Sequence, residues 1–369
     1  DLGIESDTLC ALRDRMAHRG PDDASAWSTP SAWIGHRRLA IMDPEGGREP
    51  FVVDAESDDP CVVVFNGELL EHLELRRRLE REGRRFETGC DAETAAVALA
   101  TDGAAALQSF RGMFAVAWYR PARRRIWLAR DPFGVVPLLH AVDDRGRFVF
   151  SSEMRPMLEH LGDGAVVDPA TVGAYLSTIR LTVGERTLVD GVRTVRPGHV
   201  VEVDLGEDSL RPTTKAWWRI DRTGPVLEGP EADEAVAAAV ESSLEAHLQS
   251  DVEVCSLLSG GLDSAVLTSL AIDRRPDWRT FTAVGGDGTS DPDRDAARLL
   301  ADSFGRPSVE VPVLDRPESP LDRWRRMVGA LGVPLGTPNE IAINALAEAV
   351  RDAGIKVAIS GEEIGRAHV

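Results

Sequence analysis

Six consecutive residues at positions 259–264, Ser-Gly-Gly-Leu-Asp-Ser, carry the clearest chemical pattern of this chain. They follow an apolar run, 252–258, and precede another, 265–271, which is the order strand, glycine loop, helix. Adjacent glycines let the backbone approach a polyphosphate, and the first turn of the next helix presents unpaired N–H groups and a partial positive charge to it. A Walker loop has Lys after its last glycine, whereas this chain has Leu262. The pattern predicts a phosphate-binding loop of another kind.

Asp263 adds a carboxylate to this loop. Mg²⁺ is usually held by one or two carboxylates together with the phosphates of its substrate. We therefore expect a Mg²⁺–nucleotide site with Asp263 as a metal ligand. A plain strand-to-helix turn would need the glycines but not the polar residues on both sides of them.

Composition narrows the class of protein. The 369 residues predict two domains, and 43% hydrophobic residues suffice for ordinary cores. A net charge of −19 disfavours nucleic acid, no apolar run approaches a membrane span of roughly 20 residues, and no signal peptide opens the sequence, so the expected location is the cytoplasm. Four widely spaced cysteines predict neither a zinc site nor a disulfide framework: Cys10, Cys61, Cys90 and Cys255. Small-molecule substrates fit best.

The first half of the chain must position its own polar motifs on sheets. Short β-rich runs alternate there with two helical stretches, and they lie at 33–42, 61–65, 112–118, 126–129, 135–141 (strands), 69–82 and 91–100 (helices). This pattern predicts an α+β domain, 1–205, with stacked antiparallel sheets and flanking helices. A strand-like stretch, 187–204, closes it, and the Gly-, Pro- and charge-rich segment 206–230 reads as a linker.

The second half alternates helices and strands. An amphipathic helix, 231–249, precedes the phosphate loop, and further strands are expected at 279–284, 308–313 and 356–359. Such alternation predicts an α/β domain, 231–363, with a parallel sheet whose carboxyl edge carries Gly260 and Gly361. We expect this domain to be truncated and 364–369 to be a non-native tail.

Several loop motifs of the first half occur together, namely 18–22 (HRGPD), 35–41 (GHRRLAI), 65–68 (FNGE), 111–115 (RGMFA), 130–134 (RDPFG) and 151–153 (SSE). Followed by the phosphate loop, they resemble class II glutamine amidotransferases joined to an ATP-pyrophosphatase synthetase domain, the architecture of glutamine-hydrolysing asparagine synthetase. The resemblance runs from about residue 12 to residue 362.

The resemblance implies a glutaminase site. Asn66 and Gly67 match the oxyanion hole, Arg38 matches the residue that pairs with the glutamine α-carboxylate, and Glu68 and Asp91 match the acids that hold its α-ammonium. The family's nucleophile is an N-terminal Cys, which no cysteine of this chain matches. Residues 70–71 are Leu-Glu where the family usually has Tyr-Asn, which puts details of the glutamine pocket in question.

The resemblance also implies that ATP adenylates a side-chain carboxylate and that ammonia displaces AMP. The residues that match its ATP site are Leu257, Ser259, Gly260, Gly261, Asp263, Ser264, Ala283 or Val284, Ser360 and Gly361. Glu362 matches the acid near the acyl-adenylate, and the family's second metal-binding carboxylate has no counterpart after it.

The sequence therefore predicts a ligase that uses glutamine, aspartate or another carboxylic acid, ATP and Mg²⁺, with a homodimer as one compatible assembly. Two alternatives stay open: an amide-forming synthetase of a natural-product pathway, and a catalytically dead nucleotide-binding paralogue. The presence of the residues that match the glutaminase site favours a synthetase that uses ammonia from glutamine. We expect the chain itself, as it stands, to be inactive in both half-reactions.

Overall fold

The computed structural model describes residues 2–207, 209–275, 277–285, 292–306, 308–314 and 316–361. The chain forms two units. One runs to Ile220 and also includes Val328–Gly336; the other runs from Asp221 to Met327 and resumes at Thr337. Among the described residues, no helix combines the length and the apolar character that crossing a membrane requires.

The first unit is built of antiparallel sheets. Its elements are α1 (Ser6–Asp14), β1 (Asp23–Thr29), β2 (Ala32–Arg38), β3 (Phe51–Val53), β4 (Cys61–Leu70), α2 (His72–Arg81), α3 (Asp91–Asp102), β5 (Arg111–Arg120), β6 (Arg125–Arg130), β7 (Leu139–Val142), β8 (Phe148–Ser151), α4 (Met154–Leu161), α5 (Pro169–Thr178), β9 (Arg193–Thr194), β10 (His199–Asp204) and β11 (Thr213–Ala216). A six-stranded sheet has the order β11-β10-β6-β5-β4-β3, beside a pair, β1-β2, and a three-stranded sheet, β8-β7-β9. The expected α+β class with stacked antiparallel sheets is confirmed.

Strand β4 is buried on both faces because alternate side chains enter two different cores. Val63 and Phe65 pack with the helices α2 and α3, in a cluster that includes Leu99. Val62 and Val64 pack on the opposite face with Ile34 of β2. Strand β4 is thus held between a helical layer and a second layer of strands.

Two boundaries differ from the sequence prediction for local reasons. Residues 69–70 continue β4 rather than begin a helix, because Leu69 pairs with Gly112 and Leu70 with Arg111 in β5. The predicted strand 135–141 is reduced to β7, because the Asp131 carboxylate accepts hydrogen bonds from the N–H groups of residues 135 and 136 and holds them in a loop. Within the predicted linker, β11 pairs with β10.

The second unit contains a parallel sheet. Its elements are α6 (Pro230–His247), β12 (Val254–Leu257), α7 (Leu262–Arg274), β13 (Arg279–Val284), α8 (Pro292–Ser303), β14 (Val309–Pro312), α9 (Pro320–Leu331, of which the part up to Met327 belongs to this unit), α10 (Asn339–Asp352) and β15 (Val357–Ser360). The strand order is β14-β13-β12-β15, so the chain moves from β12 to β14 in one direction and then returns to pair β15 with the other side of β12. Open α/β sheets bind ligands at the carboxyl edge beside such a reversal. The predicted α/β class is confirmed.

Candidate functional site

The predicted oxyanion pair lies in the middle of β4. Asn66 pairs with Ala115 and Gly67 with Phe114 of β5. Gly67 has φ +147°, and a Cβ there would lie 2.0 Å from the Met113 carbonyl oxygen. Only glycine fits this approach, so the fold requires Gly67 whatever its chemistry.

The side chain of Asn66 is anchored at its amide nitrogen. Its Nδ2 donates to the Ser152 Oγ over 3.1 Å. Ser152 follows the last residue of β8, so the hydrogen bond joins the central sheet to the three-stranded sheet. The sequence motif at 151–153 therefore lies beside the oxyanion pair.

The structure brings Glu68 and Asp91 together. Asp91 begins α3, and its Oδ2 accepts a hydrogen bond from the Leu69 N–H over 2.8 Å, which fixes the helix N-terminus beside β4. The Glu68 Oε1 is buried and has no hydrogen-bond partner. Burial, and secondarily the charge of Asp91, raise the pKa of Glu68 to about 7. A buried, unpartnered carboxylate beside a second acid is suited to a cationic ligand.

A third acid, Glu49, was missed by the sequence analysis. Its Oε2 accepts a hydrogen bond from the Phe65 N–H over 2.5 Å, one residue before Asn66. Burial raises the pKa of Glu49 well above its ordinary value, and Asp91 adds to the effect. We call Glu49, Glu68 and Asp91 the acidic pocket.

His36 lies against Glu49, with its Nε2 3.6 Å from the Glu49 Oε1. Burial, and then the charge of Arg38, lower the pKa of His36 to about 4, so the imidazole is neutral near pH 7. A sequence signal for this pair existed, since residue 36 belongs to the motif 35–41, but nothing local linked it to residue 49.

Arg38 is buried at the end of β2, near the same pocket. Its guanidinium donates to the carbonyl oxygens of Met42, Asp43 and Pro44 over 2.7–3.2 Å. A Cβ on Gly47 would lie 2.8 Å from both Arg38 Nη2 and Cys90 Cβ, so all three sites are adjacent. The predicted pairing of Arg38 with a substrate carboxylate stays a prediction.

The buried cysteines are not activated thiols. Burial raises the pKa of Cys61 to about 11 and those of Cys90 and Cys255 to about 12. Cys90 does lie by the acidic pocket, with its Sγ 3.5 Å from the Asp91 Oδ1, but at that pKa it is a protonated thiol at neutral pH.

In the second unit, the phosphate loop joins β12 to α7 as predicted. Its two serines close it: the Ser264 hydroxyl accepts from the Ser259 N–H over 3.2 Å and lies 3.0 Å from the Ser259 Oγ. Gly260 has φ +82°, and a Cβ there would lie 2.3 Å from the Asp293 carbonyl oxygen. Gly261, Leu262 and Asp263 are exposed, so the first turn of α7 is open to a ligand.

The other predicted nucleotide residues reach the same edge of the sheet. Leu257 pairs with Ser360 of β15, and β13 ends at Val284, the residue after Ala283. A Cβ on Gly361 would lie 2.5 Å from the Ser264 N, so Gly361 packs directly on the start of α7. Glu362, the predicted acyl-adenylate residue, lies outside the described residues, as do residues 363–369.

The loop fits a metal–nucleotide complex rather than a protein-only metal site. Across the described part of the chain, no three His, Cys, Asp or Glu side chains cluster in a way that could hold a metal ion. Asp263 is a single exposed carboxylate in the first turn of α7. Because Mg²⁺ keeps waters and takes phosphate oxygens, one such carboxylate beside a phosphate cradle is a sufficient protein contribution.

With this geometry in view, comparison with known proteins defines the class. The chain belongs to the glutamine amidotransferase domain family, whose profile matches residues 3–218. A second profile, asparagine synthase, matches residues 235–362. The gap between the two matches, 219–234, contains the point where the chain first passes from one unit to the other.

Three individual proteins are similar to this chain over most of its length. Asparagine synthetase [glutamine-hydrolyzing] 1 of Bacillus subtilis is 28% identical over 363 residues, covering 97% of this chain and 55% of that protein. A putative asparagine synthetase [glutamine-hydrolyzing] of Mycobacterium bovis is 30% identical over 361 residues, covering 94% and 54%. Amidase chyE of Penicillium rubens is 27% identical over 372 residues, covering 95% and 52%. The chain spans about half the length of these relatives.

Proposed function

We propose that the full gene product is a glutamine-dependent asparagine synthetase: it hydrolyses glutamine to glutamate and ammonia, adenylates aspartate with ATP, and amidates the adenylate to give asparagine, AMP and pyrophosphate. The observation that carries the proposal is the position of Asn66 and Gly67 directly beside Glu68 and Asp91 on β4 and α3. It is supported by the family match and by the names of the relatives.

In this proposal each group of the first site has one task. Glu68 and Asp91 bind the α-ammonium of glutamine, which replaces the missing hydrogen-bond partner of Glu68. Asn66 Nδ2 and the Gly67 N–H stabilise the oxyanion that forms when a thiolate attacks the side-chain amide. One such donor is worth about 10² to 10³ in kcat.

The second site binds the nucleotide chiefly through its backbone. The exposed first turn of α7 offers N–H groups and a positive helix end to the phosphates. Asp263 holds Mg²⁺, which when bound offsets phosphate charge. Leu257 and Ala283 or Val284 contact the adenine by their backbones, and Gly361 lets β15 lie against the loop. Ammonia must arrive neutral, so water has to be excluded from its route.

Aspartate as the acceptor rests on the names of relatives, and Amidase chyE bears another name at nearly the same identity. Another carboxylic acid acceptor is therefore the second candidate. Because ATP, glutamine and aspartate are cytoplasmic metabolites, we propose the cytoplasm as the location. A homodimer stays a prediction.

Two assays on the full gene product test the proposal. Glutamate release from glutamine is measured for the wild type, for Asn66→Ala and for Gln108→Ala, which removes an exposed amide of the same unit. We expect Asn66→Ala to lower kcat about 10² to 10³-fold and Gln108→Ala to leave it unchanged. Equal turnover of all three would remove Asn66 from the mechanism.

The second assay separates the products of ATP by chromatography, with and without aspartate. AMP and pyrophosphate that depend on aspartate are expected. ADP as the main product would contradict the assignment of the loop, and AMP formation only with other acids would identify a different amide synthetase. Intact ATP and intact glutamine under every condition would favour the dead paralogue.

A further inference from the structure

Ser152 contacts the oxyanion residue but has no role in the function proposed above. Its Oγ lies 3.1 Å from the Asn66 Nδ2, and both residues are half-buried. The neighbouring hydroxyl, Ser151, is directed elsewhere: it lies 3.6 Å from the Met16 Sδ and accepts from the Glu153 N–H. Of these two adjacent serines, only Ser152 contacts Asn66.

The side chain of Glu153 anchors the segment that carries Ser152. The Glu153 side chain is 5% exposed, and its Oε1 lies 3.0 Å from the His18 Nε2 and 3.3 Å from the Arg19 Nη1. These contacts link the end of β8 to the turn after α1, so Ser152 extends from an anchored backbone rather than from a free loop.

A carboxamide has two N–H groups on one nitrogen and rotates about a soft terminal torsion. With one N–H of Asn66 donated to Ser152, this hydrogen bond sets the plane of the carboxamide and the direction of its other N–H. An oxyanion hole is effective when its donors are oriented before charge develops. A hydroxyl that orients the donor lowers the barrier without touching the substrate.

We propose that Ser152 is a positioning residue of the glutaminase site, which acts by orienting the Asn66 carboxamide toward the oxyanion. The inference rests on the proposed glutaminase function. It concerns the transition state and not the binding of glutamine, because Ser152 is hydrogen-bonded to Asn66 and not to a residue of the acidic pocket.

The test is steady-state glutaminase kinetics of the full gene product. Ser152→Ala should lower kcat about 3- to 10-fold, the range that corresponds to one hydrogen bond, and leave KM for glutamine within about twofold. Ser152→Thr keeps the hydroxyl and should restore most of kcat. Ser177→Ala, the matched control, removes an exposed hydroxyl of α5 in the same unit and should leave kcat unchanged.

A double-mutant cycle separates positioning from a general structural effect. If Ser152 acts through Asn66, then Ser152→Ala should cause no further loss of kcat in the Asn66→Ala background. Full additivity would overturn the proposal, as would equal losses in Ser152→Ala and Ser177→Ala. If Asn66→Ala itself has no effect on turnover, the proposed function fails instead, and the two failures are distinct.

A structural readout does not depend on turnover. A crystal structure of Ser152→Ala should show the Asn66 carboxamide rotated or in two orientations, with the strand β4 unmoved. A single wild-type orientation in that variant would contradict the inference whatever the kinetics.

Discussion

Replacing Glu68 with Gln should stabilise the protein at alkaline pH while weakening glutamine binding. Burial raises the pKa of Glu68 from 4.5 to about 7, which corresponds to about 3 kcal/mol at about 1.4 kcal/mol for each pKa unit. A carboxyl whose folded-state pKa is raised contributes stability that is fully present below pH 4.5 and is lost as the pH rises through 7. The free energy of unfolding of the wild type minus that of Glu68→Gln should therefore fall by about 2 to 3 kcal/mol between pH 5 and pH 8.

The assay is urea unfolding of both proteins at the two pH values, with the transition of the first unit assigned by hydrogen exchange of β4. Comparing the difference at two pH values cancels any constant effect of the new amide. Glu74→Gln, an exposed residue of α2, is the matched control and should change the free energy by less than about 0.5 kcal/mol at either pH. Glutamine added at pH 8 should stabilise the wild type and not Glu68→Gln. A pH-independent difference would refute the idea that burial disfavours the ionised form of Glu68 in the folded protein.

Three further substitutions test the backbone geometry and the metal. Gly67→Ala places a Cβ 2.0 Å from the Met113 carbonyl oxygen and should abolish glutamate release and lower Tm, while amide formation from added ammonium salt continues. Gly361→Ala places a Cβ 2.5 Å from the Ser264 N. This substitution should raise KM for ATP at least tenfold, which corresponds to a loss of about 1.4 kcal/mol in binding free energy, and should leave glutamate release unchanged. Asp263→Asn should raise the Mg²⁺ concentration needed for half-maximal pyrophosphate release; an unchanged Mg²⁺ midpoint would exclude Asp263 as a ligand.

The second unit was the easier part of the fold to predict. Its strands and helices alternate, and the predicted strand 279–284 coincides with β13, because its threonines, Phe281 and Val284 are β-branched or aromatic residues that favour a strand. In the first unit, short elements such as β3 and β11 were not predicted. Three or four residues carry too little periodicity to be recognised, and these segments become strands by pairing with a neighbouring strand, as β11 does with β10.

The candidate site likewise contains residues that the sequence predicts and residues that only the structure reveals. Asn66, Gly67 and Glu68 are consecutive, and their pattern is visible in the sequence. Ser152 and Glu49 are visible only in the structure: one contacts Asn66 across 86 positions of sequence, and the other contacts Phe65 across 16. Neither contact follows from local spacing, because Ser152 follows a strand of another sheet and Glu49 lies before β3, whose pairing with β4 brings it near Phe65.

The acidic pocket is suited to an ammonium group, which the proposed glutaminase function requires. Three acids, Glu49, Glu68 and Asp91, share one buried region, and the pKa values of the first two are raised. The imidazole of His36 is neutral because its pKa is about 4, so it adds no positive charge, and Arg38 donates to backbone carbonyls. A bound ammonium would supply the charge and the donors that Glu68 lacks. Because a neutral or anionic group would leave the ionised form of Glu68 without a compensating charge, we expect the proposed site to favour free α-amino acids over their N-acylated forms.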